Sequence, residues 1–208
     1  MTESPKKAFV RDLYTKLAKE LSSIGFRKRR EGIYVLSLTD DISGWLGLQR
    51  TWRAPNLEIF PTVSMDCRSV ERKVRSLTGW LGPDPLPTGI SQHLGYLMPK
   101  HTYTLWNFPL GKNVSGKVAD LVGAVEEFGI PFMEKNNTLE ALCETMASGK
   151  VGTTEQIAFS LPVVLHLLGR REEAGAYLDA ELRKFGDAKH EAAKLYRKFA
   201  EAFRSMPD

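Results

Sequence analysis

Cysteine is scarce: Cys67 and Cys143 are the only two in 208 residues. They are too few for a disulfide framework, and without CxxC spacing they form no zinc knuckle. Both read as small buried apolar side chains. The four histidines, His93, His101, His166 and His190, are scattered. No H-x-x-x-H or H-E-x-x-H spacing places two imidazoles on one helix face, so neither a metal nor a cofactor is expected. A G-x-S-x-G nucleophile elbow is missing, and Cys67 has no base beside it in the sequence. No run reaches the roughly 18 apolar residues of a membrane span. The opening MTESPKKAF lacks the apolar stretch of a secretory signal, so a cytoplasmic location is expected.

The remaining composition is that of an ordinary globular chain, with 42% apolar and 26% charged residues. The length suits one substantial core, or one domain with an extension. Net charge is +4 but unevenly spread. Residues 1–80 hold 15 Lys or Arg against 9 Asp or Glu, while 81–208 hold 14 against 16. A basic first part suits an acidic partner, although a solvated surface can look the same.

Residues 6–24 predict an amphipathic helix, because Phe9, Val10, Leu13, Tyr14, Leu17, Leu21 and Ile24 fall within one arc of about 140° at 100° per residue. Gly25 fits its C-terminal cap. Three β-rich runs follow, IYVLSL at 33–38, WLGLQRTW at 45–52 and LEIFPTVSM at 57–65. The short turn-forming connections DDISG, which carries Asp40 and Asp41, and RAPN favour an antiparallel meander. Pro61 cannot donate to a ladder, so the third run is expected at an edge or at a bulge. Asp66 is expected to cap a helix over 67–78 whose Val70, Val74 and Leu77 oppose Arg68, Arg72 and Arg75.

Residues 79–100 hold four prolines and four glycines and read as a long loop, of a length that is often functional. A fourth strand is expected over 101–108 and a helix near 117–129. Helices are then expected near 138–148, 154–168, 171–185 and 188–205, the last two forming an αα-hairpin. The expected fold class is α+β. An N-terminal helix and an antiparallel sheet of about four strands with flanking helices occupy 1–135, and a helical extension occupies 136–208.

GKNVSGKV at 111–118 matches the G-x-x-x-x-G-K of a phosphate-binding loop, but Val118 replaces the hydroxyl that would hold magnesium. A polar turn before a helix is the expected reading. The strongest chemical signal is RKRR, Arg27, Lys28, Arg29 and Arg30. As a binding site it would combine with Arg50, Trp52, Arg53, Arg68, Arg72, Arg75 and Trp80, since Arg and Trp together make partner hot spots and base-stacking sites. As plain structure, cations after a helix C-terminus are favoured by the dipole and keep a strand soluble.

The run FVRDLYTKLAKELSSIGFRK, followed by a tyrosine-bearing strand and by WLGLQRTW, resembles an uncharacterised bacterial domain-of-unknown-function family over about residues 8–80. The resemblance implies helix, Gly-Phe-basic turn, antiparallel sheet and helix, with no established catalytic residues. Three functions are weighed. The first is a non-enzymatic protein binding an acidic protein partner, as immunity proteins or adaptors do, with the C-terminal helices adding a second surface or a dimer contact. The second is a nucleic-acid-binding accessory protein. The third is an enzyme using the 79–101 loop with His93 or His101.

Overall fold

The computed structural model describes residues 4–79 and 89–206. Helix α1 (Pro5–Ser23) is capped by the Ser4 side chain, which accepts from the Lys7 amide, and Pro5 in its first turn needs no donor. It buries Leu13, Tyr14, Leu17 and Leu21. Gly25 takes φ 93°, the left-handed conformation that ends a helix. The chain then enters a sheet: β1 (Arg27–Arg30), β2 (Ile33–Ser37), β3 (Ile42–Arg53) and β4 (Asn56–Cys67). These four lie in sequence order, and β5 (Ser91–His93) and β6 (Trp106–Pro109) both pair with β4. The pairs β1–β2, β2–β3, β4–β5 and β4–β6 are antiparallel. The fold is α+β, as the pattern of runs predicts.

The packing divides the chain into two compact units. The first holds Met1–Met65 with Ser91–Lys135, and the second holds Asp66–Ile90 with Asn136–Asp208. In the first, the sheet has one packed face. Ile42, Gly44, Leu46 and Leu48 of β3 alternate with half-buried Ser43, Trp45 and Gly47, and β4 alternates likewise. α1 lies on the packed face, where the Tyr14 hydroxyl donates to the Leu48 carbonyl at 2.9 Å. Helix α3 (Leu94–Leu97), helix α4 (Ser115–Ala124), a π turn (Val125–Gly129) and α5 (Ile130–Lys135) complete this unit. Gly129 sits against Val63 and Leu94, and Gly44 against Met133.

In the second unit, α2 (Arg68–Thr78) buries Val70, Val74 and Leu77 and packs against α7 (Thr154–Leu167) and α9 (Glu191–Arg204). α6 (Leu139–Ala147) and α8 (Arg171–Phe185) pack on α7. Phe159, Phe185, Tyr196, Phe199 and Phe203 join in an aromatic cluster, with Phe159 5.0 Å from Phe199 and Phe185 5.4 Å from Tyr196 between ring centres. The α8–α9 hairpin forms as expected, with α9 starting at Glu191 rather than at 188. Among the described residues, no helix is long and apolar enough to cross a membrane.

Five local expectations need correction. Residues 27–30 form a strand, not a turn. Pro61 is buried in β4, inside the sheet: one side of β4 pairs with β6 over Asn56–Ile59 and with β5 over Thr62–Ser64, and Pro61 falls in the gap between them. Its missing N–H is lost where no ladder bond is required. Asp66 belongs to β4, and the helix starts at Arg68, with Cys67 at the cap position making no side-chain cap. The expected loop over 79–100 contains β5 and α3, while the expected strand at 101–108 shortens to Trp106–Pro109.

A Cβ built on Gly44 would lie 2.2 Å from the Met133 sulfur, and Met133 is fully buried. Gly44→Ala is therefore expected to destabilise by about 1–3 kcal/mol through overpacking. Urea unfolding should show that Gly44→Ala costs less when made in a Met133→Ala background than in the parent, because the two sites share one space.

Candidate functional site

β1 carries the four consecutive cations and has β2 as its one strand neighbour among the described residues. All four side chains are exposed. Register places Arg27 opposite Val35 and Val35 opposite Trp45, so an arginine, an apolar residue and an indole form one row on the half-buried face. A bulge between Lys28 and Arg30 brings Arg30 opposite Ile33, on that same face. The Arg29 guanidinium lies 5.8 Å from the Trp45 ring centre. Among the described residues, no carboxylate pairs with Arg27, Lys28, Arg29 or Arg30.

The same face continues through Phe60 of β4 to Tyr103, 6.5 Å away between ring centres, and Tyr103 lies 4.3 Å from His93. Tyr103 is 54% exposed, so this aromatic row reaches solvent. His93 caps α3: its Nδ1 accepts from the Gly95 amide at 3.2 Å, which leaves the proton on Nε2. That Nε2 is buried without a hydrogen-bond partner. Burial lowers the His93 pKa from 6.5. His101 adopts φ 46° and joins the Tyr96 carbonyl through Nδ1 at 2.8 Å. Each imidazole thus has a local structural role, and no hydrogen bond joins the two among the described residues.

The other predicted binding residues divide. Arg50 reaches Glu31 at 2.6 Å and lies 4.9 Å from the Tyr14 ring centre. Arg53, largely exposed, stands 3.7 Å from Glu58, a buried carboxylate. Arg68, Arg72 and Arg75 belong to the second unit. Arg75 is paired with Glu71 at 2.9 Å, and Arg72 donates to the Arg68 carbonyl. Trp80 and residues 81–88 of the proline-rich loop lie outside the described residues. In GKNVSGKV, the Asn113 side chain accepts from the Ser115 amide at 2.9 Å and Val118 is core. One of the amides a phosphate would need is already taken by the turn.

Sequence reasoning missed a cleft of about 410 Å³ beside α1, lined by Lys6, Lys7, Arg11, Glu31, Arg50 and Trp52. Trp52 stacks on Phe9 at 6.2 Å, and the Lys6 ammonium lies 5.3 Å from its ring centre. The signal was present in the helix: at about 100° per residue, Lys6 falls inside the apolar arc, where a cation is out of place unless it covers something. Compared with protein-family models, with curated proteins and with solved structures, the chain matches none.

The His93 environment fixes a sign for the pH dependence. A folded pKa below 6.5 means the unfolded chain binds the proton more readily, so this contribution is complete above about pH 6.5 and is lost as pH falls through the folded value. Unfolding measured between pH 7.5 and 5 should show a smaller loss in His93→Asn than in the parent. The remainder is assigned to His166, which burial and the charges of Lys73 and Arg171 shift in the same direction. An identical loss in both proteins would contradict the buried, neutral His93.

Proposed function

We infer that this protein is a non-enzymatic binder whose first unit recognises an acidic protein partner along β1. What supports the reading best is the position of RKRR on an edge strand, where backbone N–H and C=O groups and four unneutralised cations are offered together. Strand addition uses both, with main-chain hydrogen bonds giving affinity and side chains giving selectivity. Like charges disfavour a second copy of the same strand and favour an acidic one. Charge counting agrees: the first unit holds 15 Lys or Arg against 11 Asp or Glu, the second 14 against 14, so the net charge of the chain resides in the first. An adaptor or immunity role would use such a surface.

A second reading is favoured by one observation, the row Trp45, Phe60 and Tyr103 on the half-buried face beside the arginines. Aromatic side chains on a sheet with cations at its edge suit single-stranded nucleic acid.

Fluorescence anisotropy with a labelled peptide of alternating Glu and Val, and with a labelled single-stranded oligonucleotide of similar charge, separates the two. The peptide is expected to bind more tightly, and reversing the charge of Arg27, Lys28, Arg29 and Arg30 to Glu should weaken it at least tenfold. Tighter oligonucleotide binding that falls steeply between 50 and 200 mM salt would replace this reading with the nucleic-acid one. Failure of both probes would remove the sheet edge as a recognition site.

A further inference from the structure

Beyond any protein partner, the cleft beside α1 has the chemistry of a small-molecule site, and we propose that it binds a phosphate monoester bearing free hydroxyl groups, of the sugar-phosphate or nucleoside-monophosphate kind. It is an open cleft of about 410 Å³, more than a bare anion fills.

Charge selects the phosphate. Of the four lining cations, Arg50 is engaged by Glu31 at 2.6 Å and Arg11 by Asp12 at 3.2 Å. Lys6 and Lys7 have no carboxylate partner among the described residues. Two ammonium groups without a carboxylate, that of Lys6 resting on the Trp52 ring, match a phosphate monoester, which carries about −1.5 to −2 at neutral pH. Both lysines also stand in the first turn of α1, a 19-residue helix with no acidic residue there. The helix dipole places about half a positive charge at that end, so the lysines are repelled until an anion arrives.

The hydroxyl preference comes from Glu31. Its carboxylate is held by Arg50 and can only accept, so it offers an acceptor to a ligand hydroxyl in an otherwise cationic cleft. Trp52 supplies an apolar wall. The indole is braced by Phe9 on α1, which ties the wall to the helix that carries the lysines. Phosphate, hydroxyls and a compact organic body thus each meet a different group.

Isothermal titration with the full chain tests this with four probes: ribose 5-phosphate, adenosine monophosphate, ribose and inorganic phosphate. At least one ester is expected to bind with a dissociation constant below about 1 mM, and ribose and inorganic phosphate at least tenfold more weakly. Adenosine monophosphate binding more tightly would assign the base to Trp52, and equal affinities would assign a sugar phosphate. Lys6→Gln with Lys7→Gln should weaken the bound ester at least tenfold while the melting temperature stays level or rises, because the helix end is relieved of like charge. Reversing Arg27–Arg30 should leave ester binding in place, which keeps this site distinct from the sheet edge. The proposal is overturned if neither ester binds, if inorganic phosphate binds as tightly as the esters, or if the lysine variant binds them as the parent does.

Discussion

Four like charges on one strand have few ways to be stabilised from within a fold. Register sends Arg27 and Arg30 to the half-buried face and Lys28, opposite Tyr34, to the other, so the cations spread above and below the sheet edge, where one internal carboxylate cannot meet them all. The nearest acidic residue in the chain, Glu31, is already committed to Arg50. The cations are therefore tolerated only where water or an outside acidic group reaches them, and an edge strand is such a place. The bulge at Lys28 to Arg30 shifts the register so that Arg30 joins Arg27 on the half-buried face, and all four side chains stay exposed.

The rest of the first unit builds that edge. Leu13, Tyr14, Leu17 and Leu21 fix α1 on one face of the sheet, and the hydrogen bond from Tyr14 to Leu48 sets the helix against β3. With one face taken by helices, the alternation along β2, β3 and β4 sends Val35, Trp45 and Phe60 to the other. Burial of Tyr34 and Tyr14 raises both phenols above their usual range, so they remain neutral packing groups. Arg50 then closes the end of the β1–β2 turn through Glu31 and the Tyr14 ring. That closure also shapes the cleft, so the sheet edge and the cleft share a framework while using different cations.

Much of the architecture was legible in the sequence because its period was clean. The 3.6-residue pattern of α1 and the C-terminal helices and the short turns between strands 2, 3 and 4 leave few alternatives. Where legibility failed, a tertiary circumstance decided. RKRR has no apolar alternation and reads as a turn, yet Phe26 and the hairpin partner Val35 draw it into the sheet. Pro61 argues locally for an edge, but two short strands share one side of β4 and leave a gap at its position. Of the candidate site, the charge of β1 was visible, whereas the pairing of Arg50, Arg53 and Arg75 with Glu31, Glu58 and Glu71 was not. Glu31 is nineteen residues from Arg50, and Glu58, though near Arg53 in sequence, meets it only because β3 turns back into β4. Glu71 is four residues from Arg75 and was the one pair that helical spacing could have shown.

The central claim is that β1 itself is the contact element, through its backbone as well as its cations. Amide hydrogen exchange, resolved by residue with and without the alternating Glu-Val peptide, addresses this most directly. Added protection at Arg27–Arg30, with little change along α8 and α9, is the result this account predicts. Unchanged exchange along β1 at a peptide concentration that saturates binding would contradict it.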